Sequence, residues 1–364
     1  MLASRRFFLY PLALSVAIRL IGAVWFYHDM TPGSGFHFAW MESNLTLIPA
    51  VFKWLFLFNA GDSFMFPIIA MSGYTYGRYP WLPGYPIVIR LIGALVGDYW
   101  FGAFLVTQAF ALGSIVVFQL LAEEYMKPDE AMHATLLLAA FPYIFVFTVL
   151  GYSEAMFFFC TIAAWYFYRK ERLGVSSLLV GAAAITRIYG IGIILPMILD
   201  NVSKREPRRL LYSAIPLAFV GSWMLFCYFT TGDPIVSWTA EQSVYSPVGG
   251  GYSLVHIIWG QLTMGMPVGG LDPAVLIAFA LLVLLSVKVW KVDRLLWVYT
   301  MAMFATFALV VTSHVSMLRY MAFVFPIWLT LKVRNPVIVA VCVGSFVAVS
   351  LLLWLYVITV FFVG

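Results

Sequence analysis

Apolar runs of about 20 residues, separated by short clusters of polar and basic residues, recur from one end of the chain to the other. The first reads "FFLYPLALSVAIRLIGAVWFY" (7–27), and the last fills most of 336–360. A helix rises about 1.5 Å per residue, so about 20 apolar residues cover the roughly 30 Å of a bilayer's hydrocarbon. By this measure spans are expected at about 7–27, 100–122, 131–150, 154–168, 209–230, 272–289, 294–312, 319–331 and 336–360. That makes about nine full spans. The short basic clusters between them are Arg5–Arg6, Lys127, "YRKERLG" (168–174), "SKREPRR" (203–209), "KVWKVDR" (288–294) and "KVRN" (332–335), which hold 15 of the 21 lysines and arginines. Short basic loops mark the cytoplasmic side, which places the N-terminus there. One segment breaks the alternation. If 175–199, "SSLLVGAAAITRIYGIGIILPMIL", crossed once, every later basic loop would be forced outside. Arg187 lies near its middle with Gly190 and Gly192 following, so a re-entrant pair of half-length helices is expected there, with Arg187 facing a polar cavity; a tilted full span is the alternative.

Composition narrows the class. Only 10% of the 364 residues are charged while 63% are hydrophobic, far from the balance of a soluble chain, so an all-α polytopic membrane protein is expected. The first apolar run has no small-residue cleavage site and reads as a retained helix rather than a signal peptide. Cys160, Cys227 and Cys342 are scattered through apolar runs without metal-like spacing, as buried small hydrophobes are. The +5 net charge follows from the basic loops and does not argue for nucleic acid.

This topology leaves two long stretches outside, 28–99 and 231–271. In the first, 42–58 and the run after Asp62 read as amphipathic helices at the membrane interface. A knot, "YTYGRYPWLPGYP" (74–86), then interrupts any helix with Pro80, Pro83 and Pro86. Its rings suit the membrane interface and equally the faces of sugars and isoprenoids. Among the outward acids, Asp62 and Glu154 stand out, the second at the expected outer mouth of a helix pair; each also makes sense as a residue at a helix start. The basic groups at this level are Arg90, Arg187 and Arg319, with His256 and His314 nearby. A guanidinium fork binds phosphate bidentately, and salt bridging or snorkelling is the ordinary alternative for each. Arg19, inside the first span, reads as structural. No GxxxxGK[ST], HExxH, Asp-x-Asp or GxSxG motif occurs, which removes the usual warrants for nucleotide hydrolysis, zinc proteolysis and serine hydrolysis. "SPVGGGYS" (246–253) could serve as a lid or a plain linker.

In order along the chain, these features resemble the GT-C superfamily of polyprenyl-phosphate-sugar glycosyltransferases, most closely the PIG-V type mannosyltransferases. The residues that carry the likeness are "GDSFMFPIIAMSGY" (61–74), "WLPGYPIVIR" (81–90), "FPYIFVFTVLGYSEAMF" (141–157), "AAAITRIYGIGIILP" (182–196), "TGDPIVSWTAEQ" (231–242) and "MLRYMAFVFP" (317–326). The family usually places Trp before its loop acid and a His-Phe pair after it, where this chain has Gly61 and Met65–Phe66. The resemblance implies an inverting transfer of a sugar, with mannose foremost, from dolichyl or polyprenyl phosphate to a glycan or glycolipid acceptor on the extracytoplasmic face. Asp62 would be the general base, and Glu154 would orient a sugar hydroxyl or one of the arginines. Arg319, Arg187, His314 and Arg90 would hold the donor phosphate. Tyr74, Arg78, Trp81, Tyr85, Tyr152 and His256 would line the substrate site, with the knot forming a wall beside Asp62. No metal and no cofactor are implied.

The expected organisation is therefore a first span (1–27), an external loop with interfacial helices and the candidate acid (28–99), a transmembrane core with the re-entrant pair (100–230), a second external loop (231–271) and the C-terminal spans (272–364). A prokaryotic or archaeal plasma membrane suits the short loops. A lipid or sugar transporter or flippase is the chief rival; it would call for paired internal repeats with matching broken helices, and one broken segment is seen. A scaffold subunit without its own activity is a third reading.

Overall fold

The computed structural model describes residues 8–29, 54–55, 57–75, 77–245, 273–310 and 314–360. It is 84% helical, and no strand occurs among the described residues, so the all-α class stands. In chain order the helices are α1 (Leu9–Asp29), α2 (Met65–Ser72), α3 (Gly84–Val96), α4 (Tyr99–Ala122), α5 (Pro128–Ala140), α6 (Pro142–Val149), α7 (Glu154–Arg169) and α8 (Leu173–Thr186). There follow α9 (Ile194–Ser203), α10 (Ala214–Thr231), α11 (Val236–Tyr245), α12 (Pro273–Val292), α13 (Arg294–Val310), α14 (His314–Ala322) and α15 (Pro336–Val360). They gather into two compact units. One takes in residues 1–73, 84–162 and 331–364, the other 74–83 and 163–330, so α7 is shared between them.

Four helical stretches, Leu9–His28, Tyr99–Ala122, Pro207–Thr231 and Pro336–Thr359, are long and apolar enough to cross a membrane, and α5 with α6 makes a fifth if a bent pair counts. The expected span at 131–150 is thus not straight. Pro142 carries no amide hydrogen and drives Phe141 into an extended conformation (φ −61°, ψ 127°), so the chain bends by 62° between the two helices. The expected span at 319–331 also gives way: α14 ends at Ala322 and only a 3-10 turn, Phe325–Thr330, follows. The segments expected at 154–168 and 294–312 form helices of 16 and 17 residues.

In the first unit, long-range polar bonds fasten the helices where their own ladders fail. The break at Pro142 strands the carbonyl of Ala140, and Ser350 of α15 donates its hydroxyl to it at 2.8 Å. Trp354, also on α15 and fully buried, donates its indole N–H to the Leu57 carbonyl (2.8 Å). A Cβ on Gly22 would lie 2.4 Å from the Trp354 ring, so glycine is what lets α1 approach α15. Arg19 of α1 is buried and donates to Gln108 Oε1 (2.9 Å), Thr148 Oγ1 (3.0 Å) and the Ser15 carbonyl (3.1 Å), with the Phe145 ring 5.0 Å below it. It pins α1 to α4 and α6.

In the second unit the segment after α8 doubles back. Thr186 ends α8, Arg187 is extended, and a 3-10 turn (Ile188–Ile193) leads into α9. α9 then runs back along α8: Ser176 lies 3.9 Å from the Met197 sulfur, and the Tyr168 hydroxyl, at the end of α7, donates to Asp200 (2.7 Å) and reaches Asn201 (3.2 Å). The chain therefore returns to the level it left. A second feature of this unit is the first half of the knot. Tyr74 and Tyr79 pack on Trp223 of α10 with ring centroids 4.8 and 6.3 Å away, and the Tyr79 hydroxyl donates to Thr230 (3.1 Å).

Candidate functional site

The acids lie in the first unit. Asp62 is half-buried in a 3-10 turn, Gly61–Phe64, that opens directly into α2. The turn is closed by Ser63, whose hydroxyl accepts the Ala60 amide (2.7 Å). Gly61 has φ +51°, a left-handed conformation that a tryptophan would adopt only under strain, which accounts for the departure from the family pattern at that position. The run after Asp62 is not an amphipathic surface helix as expected. α2 has no polar face and buries Phe66, Pro67, Ile69 and Ala70. The helix expected over 42–58 lies mostly outside the described residues.

Glu154 begins α7 and is fully buried. Its expected place at the mouth of a helix pair is corrected: the bend at Pro142 shortens the preceding helix and draws the connecting turn 150–153 inside the unit, where every residue is buried. That turn touches the Asp62 loop. The Gly151 amide donates to the Phe58 carbonyl at 2.7 Å, and a Cβ on Gly151 would lie 2.9 Å from Asn59 Oδ1 and 3.7 Å from Ser63 Cβ. The structure thus brings together the two acid-bearing segments, about 90 residues apart in sequence.

Tyr85 belongs to this neighbourhood, although as a wall from beneath and not as an open surface. It is fully buried on α3, with its ring 5.0 Å from Phe66 and its hydroxyl bonded to Thr107. Burial pushes that hydroxyl above its usual range, and the nearby Glu154 carboxylate adds to the rise. Tyr152 is a core residue against Phe147 (ring centroids 5.1 Å). Arg90 is not a phosphate ligand in this arrangement. It is exposed and donates to the Ala70 carbonyl (3.1 Å), so it satisfies an end of α2.

The guanidiniums gather in the second unit. Arg187 and Arg319, 132 positions apart, both donate to the Tyr320 hydroxyl, at 3.3 and 2.9 Å. Both also lie over its ring, 5.2 and 4.7 Å from the centroid. Tyr189 and Phe307 complete an aromatic box around it, with centroids 5.6 and 6.0 Å from Tyr320. A phenol oxygen that accepts two N–H bonds keeps one proton to give, and among the described residues the Tyr320 hydroxyl donates to no side chain or carbonyl. Two cations and an O–H donor on one half-buried spot make a strong anion receptor. Sequence reasoning paired the arginines but passed over Tyr320 and Tyr189, although Tyr320 stands beside Arg319 in "MLRYMAFVFP". His314 opens α14, its side chain outside the described part; His256 lies outside the described residues altogether.

The expected aromatic wall divides. Tyr74 donates its hydroxyl to the Trp81 carbonyl (2.7 Å) and stacks into the α10 cluster, so it is a structural residue of the second unit, while Tyr85 packs in the first. Trp81 and Arg78 are half-buried within the same second-unit knot. The "TGDP" loop also has a local role: Gly232 (φ +80°) ends α10, and Asp233 accepts the Ile235 amide (2.9 Å) just ahead of α11. Compared with known proteins, the chain matches no protein-family model and no curated sequence.

Proposed function

We propose that this protein is a multi-pass, GT-C-like glycosyltransferase that moves a sugar, mannose foremost, from a polyprenyl or dolichyl phosphate to a glycan or glycolipid acceptor at the extracytoplasmic face. The observation that carries the reading is the convergence of Arg187 and Arg319 on Tyr320. Holding two guanidiniums on one hydroxyl is costly unless an anion is shared between them, and a lipid-borne phosphate is an anion that an apolar helical protein can receive. Asp62 takes the proton from the acceptor hydroxyl. The acceptor oxygen attacks the anomeric carbon as the bond to the phosphate oxygen breaks, and the electron pair leaves on the lipid phosphate. Inversion follows from the single displacement. General-base assistance of this kind contributes about 10²–10⁴ in rate. Glu154, buried beside the Asp62 loop, is a positioning group.

Turnover is the test. Purified protein is incubated with radiolabelled polyprenyl-phosphate mannose or glucose and a native lipid extract. Movement of label from donor to a new product is the expected result. Passage of intact donor across a vesicle bilayer, with no label transferred, would establish the transporter reading instead.

A further inference from the structure

The base of the fold-back carries a second concentration of charge that sugar transfer does not use. Residues 169–172 leave α7, and 204–209 link α9 to the 3-10 turn Pro207–Ser213. Arg209 ties the two loops together through ion pairs to Glu171 and Glu206, and Lys204 pairs with Asp200 at 2.7 Å. In these stretches seven cations face three carboxylates. Arg172, Arg205 and Arg208 are exposed, and among the described residues their guanidiniums have no ion-pair or hydrogen-bond partner. Next to them a cleft opens between α8, α9 and the start of α10, lined by Leu173, Val180, Ile194 and Pro216 together with Arg209 and Tyr212. Val202 and Leu211 stand 57% and 74% exposed in the same loops, as side chains do where a protein lies against lipid.

We propose that this loop cluster and its cleft form a binding site for an anionic diacyl phospholipid. Charge complementarity selects the occupant. Three unpartnered guanidinium forks match the phosphate and headgroup of an anionic lipid, and the apolar cleft takes an acyl chain that a soluble phosphate lacks. The site is separate from the Arg187–Tyr320–Arg319 receptor, and it stands whether or not the protein transfers a sugar.

Native mass spectrometry of the purified protein, mixed with equal amounts of phosphatidylglycerol and phosphatidylcholine, tests it. The expected result is retention of phosphatidylglycerol in preference to phosphatidylcholine. That preference should fall by about fivefold for each arginine removed in the series R172Q, R205Q and R208Q. Ser213→Trp, which fills the cleft while leaving the charge in place, should also release the lipid. Thermal unfolding and gel filtration confirm that the variants remain folded. Equal retention of the two lipids by the wild type would overturn the proposal, and so would a preference that Ser213→Trp leaves intact, since that is plain surface attraction.

Discussion

Tyr320 is the residue on which the anion site turns. Its ring separates two guanidiniums that would otherwise repel, and its hydroxyl accepts from both while keeping a proton for a ligand oxygen. The two parts of the side chain can be removed separately. Tyr320→Phe keeps the ring and deletes only the hydroxyl, and polyprenyl phosphate should then bind about tenfold more weakly, the worth of one hydrogen bond to a charged group. Arg319→Gln should cost about 10- to 100-fold, because a formal charge leaves with the donor. Both are read by titrating unlabelled polyprenyl phosphate in detergent. If Y320F bound it as the wild type does, the hydroxyl would have no part in recognition.

At the scale of elements, the fold-back between α8 and α9 sets where Arg187 sits. Gly190 makes the turn feasible: a Cβ there would lie 2.6 Å from the Ala183 carbonyl carbon and 2.7 Å from its oxygen, and backbone cannot move aside as a side chain can. Gly190→Ala should therefore cost about 1–3 kcal/mol of stability, measured as a lower thermal midpoint, and weaken polyprenyl phosphate binding with it. An unchanged midpoint would mean that the turn is looser than its geometry implies. This break was legible in the sequence because an arginine followed by two glycines cannot sit inside an ordinary apolar span. The bend at Pro142 was legible only in part. Proline marks the spot, but the partner that makes a broken helix tolerable, Ser350, lies 210 residues away and leaves no local trace. The knot failed for the same reason. Its rings were visible, yet nothing local says that Tyr74 and Tyr79 pack on Trp223, about 150 residues on, instead of facing a substrate. Asp62 and Glu154 stood out as acids in apolar surroundings, whereas Tyr320, one of 20 tyrosines, carried no such contrast.

For the whole molecule, the account divides the chemistry between the two compact units. The acid-bearing segments belong to one and the phosphate-binding arginines to the other. Such a division makes the two functions separable by mutation. The decisive measurement takes wild type, Asp62→Asn and the double variant R187Q/R319Q, and reads two quantities on each sample: retention of radiolabelled polyprenyl-phosphate sugar, and transfer of its label to acceptor. Asp62→Asn should retain donor as the wild type does while transfer falls by about 10²–10⁴. The double variant should lose donor and transfer together. Undiminished transfer by Asp62→Asn, or full donor retention by R187Q/R319Q, would contradict the account.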